Sequence, residues 1–207
     1  GGSCREVEPL RQVLQIQSTV AAFAALKSDG SVVSWGNHGY GGDATAVAGR
    51  LHGVKALAAS QAAFAAVTDE SVVTWGNAMC GGDNSLVAEE LYGVVAIQAT
   101  GNDTMGAFAA LRSDARVVCW GSPNYGGDSR KVDTHLKDVR EIQATKSAFA
   151  ALREDGRVVT WGNPMCGGDS KKVQNQLRNV LAIHATEDAF AAIRADGSIV
   201  TWGYQYD

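Results

Sequence analysis

Apolar and polar positions recur along this chain in one block that appears five times. Its clearest copy runs from Ser147 to Gly168, SAFAALREDGRVVTWGNPMCGG. The others begin at Ala21 (AAFAALKSDGSVVSWG), Ala62 (AAFAAVTDESVVTWG), Gly106 (GAFAALRSDARVVCWG) and Asp188 (DAFAAIRADGSIVTWG). Every Phe and every Trp of the chain sits at an equivalent place in this block. A fixed period of about 41 residues predicts a propeller, a solenoid or another array of supersecondary units.

Within one unit the pattern predicts three strands. VREIQAT from Val139 alternates apolar and polar residues, AFAALRE follows, and RVVTWG is the third. Asp155-Gly156 between the last two is a hairpin signal, because Gly accepts positive φ without penalty. Apolar residues fall on both parities of FAAL and VVTW, which predicts sheets buried on both faces. The Ala residues allow neighbouring sheets to approach, and each Trp is expected in the gap between two sheets. After Gly167-Gly168, the segment SKKVQNQLRNV spaces Val173, Leu177 and Val180 as a helix of roughly two turns would. Asp169 or Ser170 is its expected N-cap, and Gly53, Gly93 and Asn179 stand near its C-terminal end. An irregular edge strand is the alternative.

The predicted fold class is mainly β: a five-unit, propeller-like ring with three strands and a short helix per unit. An open β-solenoid is the alternative. The Trp residues lie 40, 45, 41 and 41 residues apart. The chain stops at Tyr204-Gln205-Tyr206-Asp207, where another Gly-Gly is due, and starts with Gly1-Gly2-Ser3. Val7 and Leu10 then follow roughly as the Val and Leu of the helix do. Residues 1–207 are therefore expected to form one repeat domain closed by its N- and C-terminal half-units.

Composition narrows the chemistry. At 207 residues and 45% apolar content the chain can bury a core of one large domain. A net charge of −4 and no Lys/Arg run give no electrostatic reason to expect nucleic acid. No apolar run approaches the roughly 18–20 residues of a membrane-spanning helix. Cys4, Cys80, Cys119 and Cys166 lack CxxC pairing or a regular framework. Cys119 takes the place of Ser34, Thr74, Thr160 and Thr201 and is expected to be an inert buried thiol. Tyr40, Cys80, Tyr125 and Cys166 are expected to pack over the Gly-rich loops. Asp43, Asp83, Asp128 and Asp169 follow the Gly-Gly pairs; one carboxylate per unit is too few for calcium, which takes about six or more oxygens, so backbone capping is expected. His38, His52, His135 and His184 occupy unrelated positions and make no triad with Ser and Asp. No Gly-rich loop carries the Gly-Lys-Ser/Thr of a nucleotide site. No catalytic residue, metal ligand or cofactor is expected.

Units that break the rule are the better places for a specific partner. The third copy inserts Gly101, Asn102, Asp103, Thr104 and Met105 ahead of its Phe strand; the second loses one turn residue, and the third has Ala115 where Gly stands elsewhere. Tyr204 and Tyr206 are further contact candidates, because exposed Tyr is favoured at interfaces.

The order Val-x-x-Ile-x-Ala, Ala-Leu-x-x-Asp-Gly-x-Val-x-x-Trp-Gly-Asn, then a Gly-rich loop, carried here by Ile142 to Asn163 and its counterparts, resembles the regulator-of-chromosome-condensation repeat. The AFAAL…WGN…GGD form is similar to repeats of dinoflagellate algal proteins. Here Ala-Phe replaces the family's small polar residue and His, and Gly-Gly-Asp replaces its Gly-Gln-Leu-Gly. The resemblance implies a propeller that works by protein contact: as a nucleotide exchange factor for a small GTPase, or as a module of a larger assembly. It also points to an organelle, such as a plastid, as the setting. No wedge hairpin or basic tail is evident for exchange or chromatin binding. The expected function is a non-enzymatic interaction scaffold or accessory subunit of a multi-subunit complex. An exchange-factor-like regulatory module is the alternative, and a small-ligand binder ranks last.

Overall fold

The computed structural model describes residues 10–102 and 104–204. Fifteen strands form five sheets of three, each antiparallel and in sequence order. The first sheet holds β1 (Val13–Ser18), β2 (Ala22–Lys27) and β3 (Val32–Gly36). The second holds β4 (Ala56–Ala59), β5 (Ala63–Val67) and β6 (Val72–Gly76). The third is β7 (Val94–Asn102), β8 (Met105–Arg112) and β9 (Val117–Gly121). The fourth is β10 (Val139–Ala144), β11 (Ala148–Arg153) and β12 (Val158–Gly162), and the fifth β13 (Val180–Ala185), β14 (Ala189–Arg194) and β15 (Ile199–Gly203). Successive sheets pack in a row, β1 on β4, β4 on β7, β7 on β10 and β10 on β13; no such packing joins the first and last sheets among the described residues.

The middle strands explain why both parities are apolar. β5, β8 and β11 are buried along almost their whole length. One face of each sheet meets the opposite face of the next. In the fourth interface Ala148, Ala150, Leu152 and Val158 pack against Phe190, Ala192, Val200 and Trp202 of the following unit. The small Ala side chains let the sheets close on one another.

A Gly–Phe–Trp clasp fixes this spacing. Phe64 pairs with Trp75 across the hairpin, and so on in every unit, with ring centroids 5.2–5.4 Å apart. Trp75, Trp120, Trp161 and Trp202 donate their indole N–H to the carbonyls of Gly41, Gly81, Gly126 and Gly167. Each acceptor is the first Gly of the preceding Gly-Gly pair. At Gly126, with φ 92°, a Cβ would lie 2.5 Å from the Phe149 ring, so both conformation and space require Gly there. The Trp therefore fills the gap between sheets, as expected, and also ties it. Counting back from Trp35 by the 34 residues that separate Trp75 from Gly41 reaches Gly1. Gly1-Gly2-Ser3, Cys4 and Val7 lie outside the described residues.

The expected short helix is present as 3-10 winding rather than as two α-helical turns. Thr45–Arg50, Ala88–Glu90 and Asp133–His135 wind as 3-10 turns, and residues 171–176 of the fourth unit are hydrogen-bonded turns. The segment between Gly-Gly and the next strand is too short to repay helix nucleation, and i→i+3 bonds suffice to bury Leu51, Leu91, Leu136 and Leu177. Capping takes another form too. The Asp carboxylates accept the N–H two residues on, at Thr45, Ser85, Arg130 and Lys171, ahead of the 3-10 turns; Ala44, Val87 and Val132 stand at the N-caps without side-chain bonds. Gly53, Gly93 and Asn179 take left-handed φ of 60°, 58° and 55°, which turns the chain into the next strand.

The lost turn residue of the second unit has a structural trace. In the other four units the basic residue ending the middle strand pairs with the turn Asp two positions on, as Arg112 does with Asp114 at 2.7 Å. Val67 holds that place in the second unit, and Asp69 pairs instead with Lys55. The second unit also lacks the register shift seen at Val94/Ala96 and its counterparts.

Candidate protein-contact rim

The turns between first and second strands and the Asn-led loops after the third strands lie at the same end of the sheets. Hydroxyls tie them together. Thr19, Ser60, Thr100 and Thr145 each donate to the carbonyl of Tyr40, Cys80, Tyr125 or Cys166, at 2.7–3.0 Å. Asn37, Asn77 and Asn163 accept the N–H of Gly39, Met79 and Met165, which closes the short 3-10 turns there. The expected packing of Tyr40, Cys80, Tyr125 and Cys166 over the loops holds, Tyr40 and Tyr125 as partly buried members of the core clusters.

The insertion of the third unit rises on this rim. It lengthens β7 and β8 beyond their counterparts, with Gly101 opposite Gly106 and Asn102 opposite Met105. The Gly101 N–H donates to the Lys146 carbonyl at 2.8 Å. A Cβ on Gly101 would lie 2.8 Å from Gln61, so the backbone passes close against the second unit. Asn102 Nδ2 donates to Tyr125 Oη at 2.5 Å, and Ser122 Oγ donates to Met105 Sδ at 3.6 Å. The Thr104 carbonyl accepts from Cys80 Sγ at 3.6 Å. Gly101, Asn102 and Met105 are thus half-buried and held by three units, and Thr104 is the exposed tip. Tyr204 is exposed at the end of the fifth unit, its N–H bonded to the Asp188 carbonyl, and lines an open groove of about 510 Å3 with Met165, Lys171 and Trp202. Asp103 and Tyr206 lie outside the described residues.

Three apolar side chains on the loops were not singled out by the sequence pattern. Met79 and Met165 are exposed beside the rim turns, and Leu86 is 98% exposed. Leu86 lines an open groove of about 600 Å3 between the second and third Gly-Gly-Asp loops, with Asp83, Asp128 and Arg130. A signal does exist: Leu86 aligns with Ala46, Lys131 and Lys172, so it is apolar at a position the other units leave small or charged.

The titratable groups here serve structure. The Arg130 guanidinium and N–H hold the Asp128 carboxyl at about 2. Hydrogen bonds from Thr45 and Ser85 likewise lower Asp43 and Asp83. Burial pushes the Cys119 thiol up to about 12, so it stays protonated, in keeping with an inert residue. Cys166 Sγ lies 3.2 Å from Asp188 Oδ1, which Lys146 also binds at 2.8 Å; burial first, then that carboxylate, raises the thiol. Cys80, Cys119 and Cys166 are free, and Cys4 lies outside the described residues. Among the described residues no three His, Cys, Asp or Glu side chains converge as metal ligands, and no helix is long and apolar enough to cross a membrane.

No known protein-family profile matches the chain, and no curated protein sequence does. Solved structures do match. Human WBSCR16 is 22% identical with a TM-score of 0.56, over 92% of this chain and 61% of that one. Prp20p from Saccharomyces cerevisiae, described with its binding to Gsp1p and histones, is 21% identical with a TM-score of 0.57, over 92% of this chain and 57% of that one. Yeast RCC1 (Prp20) bound to Kap60 gives 20% and 0.55, over 92% and 56%. The chain therefore spans about six-tenths of the length of these structures. The repeat likeness read from Ile142 to Asn163 extends to the fold: the five three-stranded sheets of this chain are similar in arrangement to the regulator-of-chromosome-condensation propellers.

Proposed function

We propose that this chain is a non-enzymatic protein-interaction module, an accessory subunit or scaffold, and that the rim carrying the third-unit insertion takes its partner. The observation that carries the reading is the junction of Thr104 with the second unit. The Cys80 thiol bonds the Thr104 carbonyl, which fixes the inserted segment to the 3-10 turn that carries exposed Met79. Met adapts its shape to varied partners, and exposed apolar side chains rimmed by polar loops mark contact sites. Clasped sheets hold that rim rigid, which limits the ordering lost on binding. Gly101, Asn102 and Met105 present the tip, and Tyr204 extends the surface at the fifth unit. The test is the native mass of the endogenous protein in gently lysed cells, with identification of co-migrating proteins. A large particle that is lost on Met79→Glu, with the melting temperature unchanged, supports the reading; a lone chain near 21.7 kDa overturns it.

A second reading is favoured by the likeness to Prp20p, whose structure is described with its binding to Gsp1p. In it the same rim binds a small GTPase and accelerates nucleotide release. Release rates measured across a panel of small GTPases separate the two: no acceleration on any member removes this reading and leaves the scaffold.

A further inference from the structure

The four internal interfaces share one design, and the two end sheets expose one half of it each. The leading half is the face of Ala148, Ala150, Leu152 and Val158 in the fourth sheet, all at most 1% exposed. Its counterpart in the fifth sheet is Ala189, Ala191, Ile193 and Ile199, and there Ile193 is 37% and Ile199 67% exposed. The receiving half centres on Phe64, Phe108, Phe149 and Phe190, again at most 1% exposed, with Ile142 and Ile183 beside the last two. In the first sheet Phe23 is 37% and Ile16 55% exposed.

We propose that the two ends mate between molecules: the fifth sheet of one copy packs its Ile193–Ile199 face on the Ile16–Phe23 face of a second copy. The occupant follows from the chain's own interfaces, because each half already has its complement in this sequence four times over. The backbone supplies a matching polar bond. Inside the chain, Gly101 N–H donates to Lys146 O and Lys146 N–H to Glu187 O, both at 2.8 Å, from each rim turn to the next. Val20, the first such turn, donates to Gln61 O. Continued across two copies, the series joins Glu187 N–H to the Val20 carbonyl. A contact between two different faces is heterologous, so copies add head to tail into a ring or a filament. The proposal concerns the end faces and stands apart from the rim and its partner.

The experiment is sedimentation and light scattering of the purified 207-residue chain over a range of concentrations, beside Ile16→Glu and Ile199→Glu. Both sites are exposed, so each variant keeps the wild-type circular dichroism. The wild type is expected to run as concentration-dependent multiples of 21.7 kDa, and each variant as a monomer. An equimolar mixture of the two variants retains one intact pair of ends and stops at the dimer. A wild type that stays monomeric at every concentration, whether its ends close on each other or stay open, overturns the proposal. Variants that associate as the wild type does also overturn it. Ile16→Glu and Ile199→Glu block opposite ends independently, so if one variant misfolds the other still decides the outcome. Loss of the rim partner has no bearing on this result.

Discussion

Ala115 holds a φ of 62° at a turn position where Gly30, Gly156 and Gly197 stand in three other units. An L-residue there costs about 1–2 kcal/mol in backbone strain, while glycine adds about 0.4–1 kcal/mol of unfolded-state freedom. Ala115→Gly is therefore expected to stabilise the chain by about 0.5–1 kcal/mol, read from urea unfolding. An unchanged or lower midpoint would show that the strain is relaxed by its surroundings. Asp128 gives a pH signature at the same scale. Its folded value, about 2, lies below the ordinary 3.8, so its contribution to stability is present above about pH 4 and lost as pH falls toward 2. Asp128→Asn should flatten that part of the curve of melting temperature against pH. A slope as steep as wild type's would assign the acid sensitivity to other carboxylates.

At the scale of elements, the hydroxyl near the end of the first strand in the first four units joins strand to loop. Thr145 Oγ1 sits 3.0 Å from the buried Cys166 carbonyl and 3.2 Å from that of Ala148, and accepts from the Ala148 N–H at 3.0 Å. Thr145→Val keeps the shape and strands these groups. A loss of about 1–3 kcal/mol is expected by denaturant unfolding, and a loss below a few tenths would mean that other groups satisfy them. These bonds also mark the limit of local pattern. The hairpins are legible in the sequence because Asp-Gly states its own turn, and the two-faced sheets because FAAL is apolar at both parities. The recurrence of Thr or Ser ahead of each Phe is visible too, but its acceptor lies about twenty residues on in a loop, beyond any local pattern. The expected helix takes the 3-10 form because Val and Leu four residues apart fit a 3-10 turn that plunges Leu into the core as well as they fit an α-helix. Capping by the Asp residues is right in its chemistry and displaced in its location, since an Asx bond needs only the N–H two residues on.

For the whole molecule, five clasped sheets make a rigid frame, and function falls to the surfaces that the frame does not use. The insertion of the third unit is legible as an irregularity, and its described residues lie at one rim. The sequence does not say that Gly101, Asn102 and Met105 are largely occupied by Gln61, Lys146, Tyr125 and Ser122, which leaves Thr104 as the described tip. Nor does it reveal the exposure of Met79 on the turn bonded to Thr104, or of Leu86 on its loop, because both depend on how successive loops stack. The most direct test of the rim as the partner surface is site-specific photo-crosslinking in living cells. A photoreactive residue at Thr104 is compared with one at Glu154, exposed in a hairpin turn at the opposite end of the sheets. The rim account predicts one discrete crosslinked protein from Thr104 and none from Glu154. Equal crosslinking from both positions, or from Glu154 alone, would contradict it.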